Sequence, residues 1–329
     1  MQQKKLTQNL NSFKKNEKSI YYFIIFFFSF SVNLFYGYRG IFPIDSFLIY
    51  ESGYKILNGF HPFKDYWSIT GPLLDYIQFI FFSLFDVNWF SYVLHSTVIN
   101  TFLATFIYYF FNKIGLNHIL SLTYSIGVGL LAYPSAGTPF MDHHAVIFCL
   151  ISICYLILAI IYEKKIFWFL FPIFLILSFF SKQIPSAYIS FAIFPVILFY
   201  FFVKQKGIFS IIKNITAGSL IIIIFILLIF FVNQIPIDNF LIQYIFYPSS
   251  LGGERILELN LDFKNTFGQF KFIFISLLPL GFISFLIIKR KLRKIDEKKD
   301  FIILTLILIT ALIFIYCQLL TKNQVLIFF

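Results

Sequence analysis

The chain has 329 residues, of which 59% are hydrophobic and only 12% charged, and its mean hydropathy is +0.84. Soluble domains carry about 25% charged residues, so this composition excludes a soluble globular protein and predicts an all-α polytopic membrane protein. The formal charge of +11 does not imply a nucleic-acid partner, because the basic residues fall in short clusters between apolar runs, as cytoplasmic loops do.

Residues 1–19 form a basic N-terminus with Lys4, Lys5, Lys14, Lys15 and Lys18. An apolar run, Ile20 to Tyr36, follows without a small-residue cleavage pattern, which predicts an uncleaved first helix with its N-terminus in the cytoplasm. The segment from Gly37 to Asn88 is polar by the standards of this chain and holds Asp45, Glu51, His61, Asp65 and Asp75. With only 15 Asp and Glu in total, acids beside a membrane span are site candidates, since charge near hydrocarbon is costly. Asp45 stands where a short helix over 46–57 would start, so it reads either as an N-cap or as a functional acid, and Asn58-Gly59 would stop that helix. Glu51 lies six positions on and does not share a helix face with Asp45, which argues against a carboxylate dyad. The sequence HPFKDYW then mixes His61, Asp65, Tyr66 and Trp67, residues suited to lipid headgroups or to stacking on sugars.

Leu73 to Phe85 is interrupted by Asp75 and Gln78 and falls short of the roughly 20 residues a crossing needs, so it is expected to lie along the outer surface. Nine spans follow from that choice, near 20–36, 89–111, 119–133, 144–162, 166–181, 184–203, 208–232, 269–288 and 301–320. It places 18 of the 26 Lys and Arg inside, including the cluster at 289–300, whereas the inverted topology would export that cluster. The external side then carries residues 37–88, the stretch around 133–143, a turn at 181–185 and a loop over 233–268. Cys149, Cys154 and Cys317 lie inside apolar runs, where a thiol acts as a small hydrophobe.

The order of a first span, external Asp45, a helix ending in NGFHPFKDYW and then GPLLDYIQFIFFSLF resembles the GT-C superfamily of polyprenyl-phosphate-sugar glycosyltransferases. The nearest type is that of the protein O-mannosyltransferases and aminoarabinose transferases, glycosyltransferase family 39. PSAGTPFMDHHAV, with Asp142 and His143, and the SKQIPS turn, with Lys182, are similar to the same family. The resemblance covers about 20–205, the expected catalytic module, with 206–329 supplying further helices. It implies a GT-C-type bundle with two membrane-parallel helices in the first external loop, in the inner or plasma membrane. Where many members carry two adjacent acids, this chain has Asp45-Ser46. Members of this type continue with further spans, so a short or truncated member is expected.

By this resemblance Asp45 is the catalytic base of an inverting transfer from a lipid-linked sugar donor to a glycan, lipid or protein acceptor. Lys182 and Arg255 would hold the donor phosphate, although a lone lysine can also snorkel to the surface. Glu51, His61, Asp65, Tyr66, Trp67, Asp142 and His143 would line the substrate site. No cofactor is required. A divalent metal could be held by Asp45, His61, Asp142, His143 and His144, yet no spacing here is diagnostic, and His143 and His144 would point about 100° apart on a helix. A transporter or flippase of lipid-linked glycans, with Asp142 and Lys182 as coupling charges, is the alternative.

Overall fold

Hydrocarbon offers no hydrogen-bond partners, so an apolar chain that crosses it must pair its own backbone groups, and the helix does so within one segment. The computed structural model describes residues 2–39, 46–259, 262–289 and 295–321, which form helices and no β-strand. Asp45 lies outside the described residues.

In chain order the helices are α1 (Gln2–Gly37), α2 (Ser46–Leu57), α3 (Pro72–Phe85), α4 (Trp89–Lys113), α5 (His118–Leu131), α6 (Met141–Tyr162) and α7 (Lys165–Ser181). They continue with α8 (Ser186–Lys204), α9 (Ile208–Val232), α10 (Ile237–Phe240), α11 (Tyr247–Leu257), α12 (Lys271–Lys289) and α13 (Ile295–Thr321). Seven described segments are long and apolar enough to span a membrane: Lys18–Gly37 of α1, and α4, α6, α8, α9, α12 and α13. The nine predicted spans all fall on helices, but α5 and α7 have only 14 and 17 residues. α3, expected not to cross, has 14.

The predicted loop at 233–268 is largely helical instead. α10 runs through a π-helical stretch, Leu241–Phe246, into α11, and a second π-helical stretch covers Lys264–Gly268. Pro236, Pro248 and Gly252-Gly253 break up the apolar run in this sequence and hide the helix. Pro248 lies at the junction where the π-helical stretch passes into α11.

The chain divides into two compact units, one made of residues up to Tyr50 and from Ile80 to Phe140, the other of Glu51–Phe79 and residues from Met141 onward. In the first unit α1, α4 and α5 pack on one another. Their polar residues face inward. Asn33 Nδ2 of α1 donates to Ser96 Oγ (3.1 Å) and Thr97 Oγ1 (3.0 Å) of α4. Asn100 of α4 donates to the Gly129 carbonyl of α5 (2.9 Å) and accepts from the Tyr133 N–H (3.3 Å). At one end Gly137, at φ +69°, packs backbone to backbone on Gly37, and a Cβ at either position would meet the other glycine's backbone within 2.8 Å. Ser96 Oγ donates to the Gly137 carbonyl (2.8 Å), and the Trp89 indole N–H donates to that of Gly37 (3.0 Å).

In the second unit α7 packs on α6 and α9, while α13 packs on α8 and α12. Ser152 Oγ donates to the Phe171 carbonyl (2.8 Å) and Ser178 Oγ to that of Ala145 (2.6 Å), which fixes the α6–α7 hairpin in register. At its turn Glu163 bonds Lys204 and Lys299, each at 2.8 Å, and these two lysines hold its carboxyl below the usual range. α9 leaves Phe231 82% exposed and Phe209 81%, as expected of a membrane-length apolar helix that faces lipid.

Asn100 links three segments through a buried amide that water cannot reach. Asn100→Ala should lower stability by about 0.5–2 kcal/mol, because the Tyr133 N–H loses its acceptor. Unfolding of the purified protein by an anionic detergent, wild type beside variant, measures the loss.

Candidate functional site

The stretch Asn58 to Gly71, between α2 and α3, folds into a closed turn and then a strap. The His61 N–H donates to Asp65 Oδ2 (2.7 Å), and the Asp65 N–H donates back to the His61 carbonyl (2.9 Å). Phe63 inside this turn takes φ +66°, a conformation unfavourable for a side-chain-bearing residue. Burial offsets it. The ring is 0% exposed and packs with Phe230, Ile235 and Tyr244. The Asn239 amide donates to the Phe63 carbonyl (2.8 Å), and Lys64 Nζ donates to that of Asn233 (3.1 Å).

The strap then runs to the turn after α7. The Ser68 N–H donates to Gln243 Oε1 (2.9 Å). Gln183 Nε2 donates to the carbonyls of Ile69 (3.2 Å) and Tyr244 (2.8 Å), and the Tyr244 hydroxyl donates to that of Phe179. A Cβ at Gly71 would collide with the backbone carbonyl oxygens of Phe180 and Ser181, so only glycine lets the strap reach this turn. Residues 61–71, 181–183 and 239–244 therefore form one cluster.

Lys182 belongs to that turn. Its Nζ lies 2.5 Å from Asp142 Oδ1, with the two side chains only 18% and 13% exposed. Asp142 occupies the first turn of α6 and Lys182 follows the last turn of α7, so each charge also complements a helix end. Shielding from water strengthens the pair relative to an exposed one.

The other predicted site residues take varied places. His61 Nδ1 lies 3.1 Å from the Tyr76 hydroxyl, and burial lowers its pKa despite Asp65, keeping the imidazole neutral near pH 7. Burial pushes the Tyr66 phenol up, and Lys55 Nζ lies 4.7 Å from the centre of its ring. Glu51 pairs with Lys55 (2.7 Å) on an exposed face. Trp67 is 57% exposed and meets Tyr247 edge to face, with ring centres 5.6 Å apart. Arg255 is exposed in the last turn of α11, and His143 is wholly buried in α6. Among the described residues no group of three or more His, Cys, Asp or Glu side chains is placed to hold a metal ion.

One acid carries more than the sequence suggested. Asp75 and Gln78, which interrupt the run expected to lie along the outer surface, are both 0% exposed. Among the described residues neither Asp75 carboxyl oxygen accepts a hydrogen bond, and its ionisable neighbours are the phenols of Tyr66, Tyr76 and Tyr244. Burial pushes its pKa well up, which favours the protonated carboxyl. The available signal was an acid inside an otherwise apolar run, four residues into a helix.

The helices define a multi-pass α-helical membrane protein. No protein-family model, curated protein or solved structure matches the chain.

A carboxyl whose folded pKa is raised stabilises the fold below its unfolded pKa, and that contribution falls as pH rises toward the folded value. The wild type should therefore lose stability relative to Asp75→Asn as pH rises above the unfolded carboxyl value of about 4, with a gap that widens until the raised folded value is passed. Detergent-unfolding midpoints of both proteins across that range test this, and parallel profiles would show an ionised Asp75.

Proposed function

We propose that the chain is a membrane glycosyltransferase that moves a sugar from a polyprenyl-phosphate donor to an acceptor on the external face. The observation that carries this reading is the shielded Lys182–Asp142 pair, tied through Gln183 to the strap that holds His61, Asp65 and Trp67. An ammonium already matched to one anion can exchange it for the phosphate of a lipid donor, and a phosphate accepts more hydrogen bonds than a carboxylate. The exposed Trp67–Tyr247 pair offers an aromatic face on which a sugar can stack. Arg255, on the same helix as Tyr247, is the second phosphate ligand in this reading.

The role of Asp45 rests on the family resemblance alone. Its carboxylate takes the proton of the acceptor hydroxyl or amine while that atom attacks the anomeric carbon. The bond from that carbon to the phosphate oxygen breaks on the opposite face, and the phosphate leaves with the electron pair, stabilised by Lys182. Displacement from one side inverts the anomeric configuration. The reading includes nine spans, with α5 and α7 as short ones, the N-terminus in the cytoplasm and an inner or plasma membrane location. The bias of 18 in 26 basic residues supports that orientation.

Purified protein should release free polyprenyl phosphate from a polyprenyl-phosphate hexose. Asp45→Asn and Lys182→Gln should each reduce turnover by about 100-fold or more, Lys182→Gln with some loss of stability because Asp142 loses its partner. Full turnover by Asp45→Asn would remove that residue from the mechanism. Movement of intact donor across a vesicle membrane without release of phosphate would instead identify a flippase.

A further inference from the structure

The first unit carries a second polar site that the proposed reaction does not use. It is a recess of about 190 Å³ lined by Lys18, Tyr22, Tyr108, Tyr109, Asn112, Lys113 and His118. Three apolar segments meet there: α1 begins its membrane-length stretch at Lys18, α4 ends at Lys113, and α5 starts at His118. The opposite ends of α1 and α4 are at Gly37 and Trp89. Two lysines and a histidine thus converge at one end of a three-helix bundle, and no carboxylate is among the described lining residues.

The polar groups are held rather than loose. His118 Nδ1 lies 3.1 Å from the Tyr108 hydroxyl, and its ring stacks on Tyr21 at 5.8 Å. Tyr108 is 1% exposed, and Tyr22 meets it edge to face at 4.8 Å. When the Tyr108 hydroxyl donates to Nδ1, Nε2 keeps its hydrogen and can donate to an anion. The Asn112 amide is fixed on the Tyr108 carbonyl (2.9 Å), and Lys113 Nζ lies 5.7 Å from the centre of the Tyr109 ring.

We infer that this recess binds the phosphate of an anionic lipid headgroup. The ring of tyrosines places it at the depth where aromatic side chains anchor in a bilayer. Along α1 the exposed Phe26, 52% exposed and one turn beyond Tyr22, continues from the recess and offers apolar surface for an acyl chain of the same lipid, while Phe23 and Phe27 lie farther round the helix. A free phosphate ion would have the recess but no use for that surface. The recess shares no residue with the proposed donor site, so either can fail without the other.

The test is native mass spectrometry of the full chain in detergent. Dioleoylphosphatidylglycerol, dioleoylphosphatidylcholine and inorganic phosphate are added in separate runs. Each lysine engaged should favour the anionic over the zwitterionic lipid by about fivefold. The preference should vanish in Lys18→Gln/Lys113→Gln and persist in Lys18→Arg/Lys113→Arg, which keeps both charges. Equal binding of the two lipids, a preference that survives the glutamine variant, or its loss in the arginine variant would overturn the assignment. Retention of inorganic phosphate without phosphatidylglycerol would identify a free-anion site and overturn the lipid assignment.

Discussion

A polar group inside this protein has to find its partner within the protein, because the medium around most of the chain offers none. That constraint orders the helices. Phe and Ile side chains pack as well against lipid as against one another and cannot fix which face of a helix turns inward. Asn33 and Asn100 can, since each is bound to groups on a neighbouring helix. The serines of the α6–α7 hairpin act the same way, with Ser178 and Ser152 set about two helical turns apart along the contact.

The same constraint gives Asp75 its interest. It is enclosed as fully as any core residue, yet its carboxyl accepts no hydrogen bond from the described residues, and burial favours its protonated form. Violations of local rules concentrate at functional sites. Asp75 belongs to the same unit as the strap and the Lys182 turn, and its neighbour Tyr244 bonds through its carbonyl to Gln183. When protonated, this carboxyl is a potential hydrogen-bond donor beside the phenols of Tyr66, Tyr76 and Tyr244.

Helix positions were legible because the apolar runs are long and their breaks are sharp. Asn117 caps α5 by accepting from the Leu120 N–H, and the end of α2 falls on the Asn-Gly pair that predicted it. The helices between Asn233 and Gly268 were not legible, since prolines and glycines interrupt their apolar residues. Lys182 and Asp142 were each singled out, but their pairing spans 40 residues and has no local signature. His61 and Asp65 sit four apart, which suggests a helix face, yet they close a turn instead. The burial of Asp75 was not legible for a physical reason: the pattern of an amphipathic helix is the same whether its polar edge meets water or a buried cluster.

The central claim is that the Lys182 turn receives the phosphate of a lipid-linked sugar. The most direct measurement is photo-crosslinking with a polyprenyl-phosphate sugar that carries its photoreactive group beside the phosphate, followed by mapping of the labelled peptides. Labelling of peptides that contain Asp142 and Lys182, suppressed by unlabelled donor, is the result this account requires. Labelling confined to other helices, or unaffected by unlabelled donor, would contradict it.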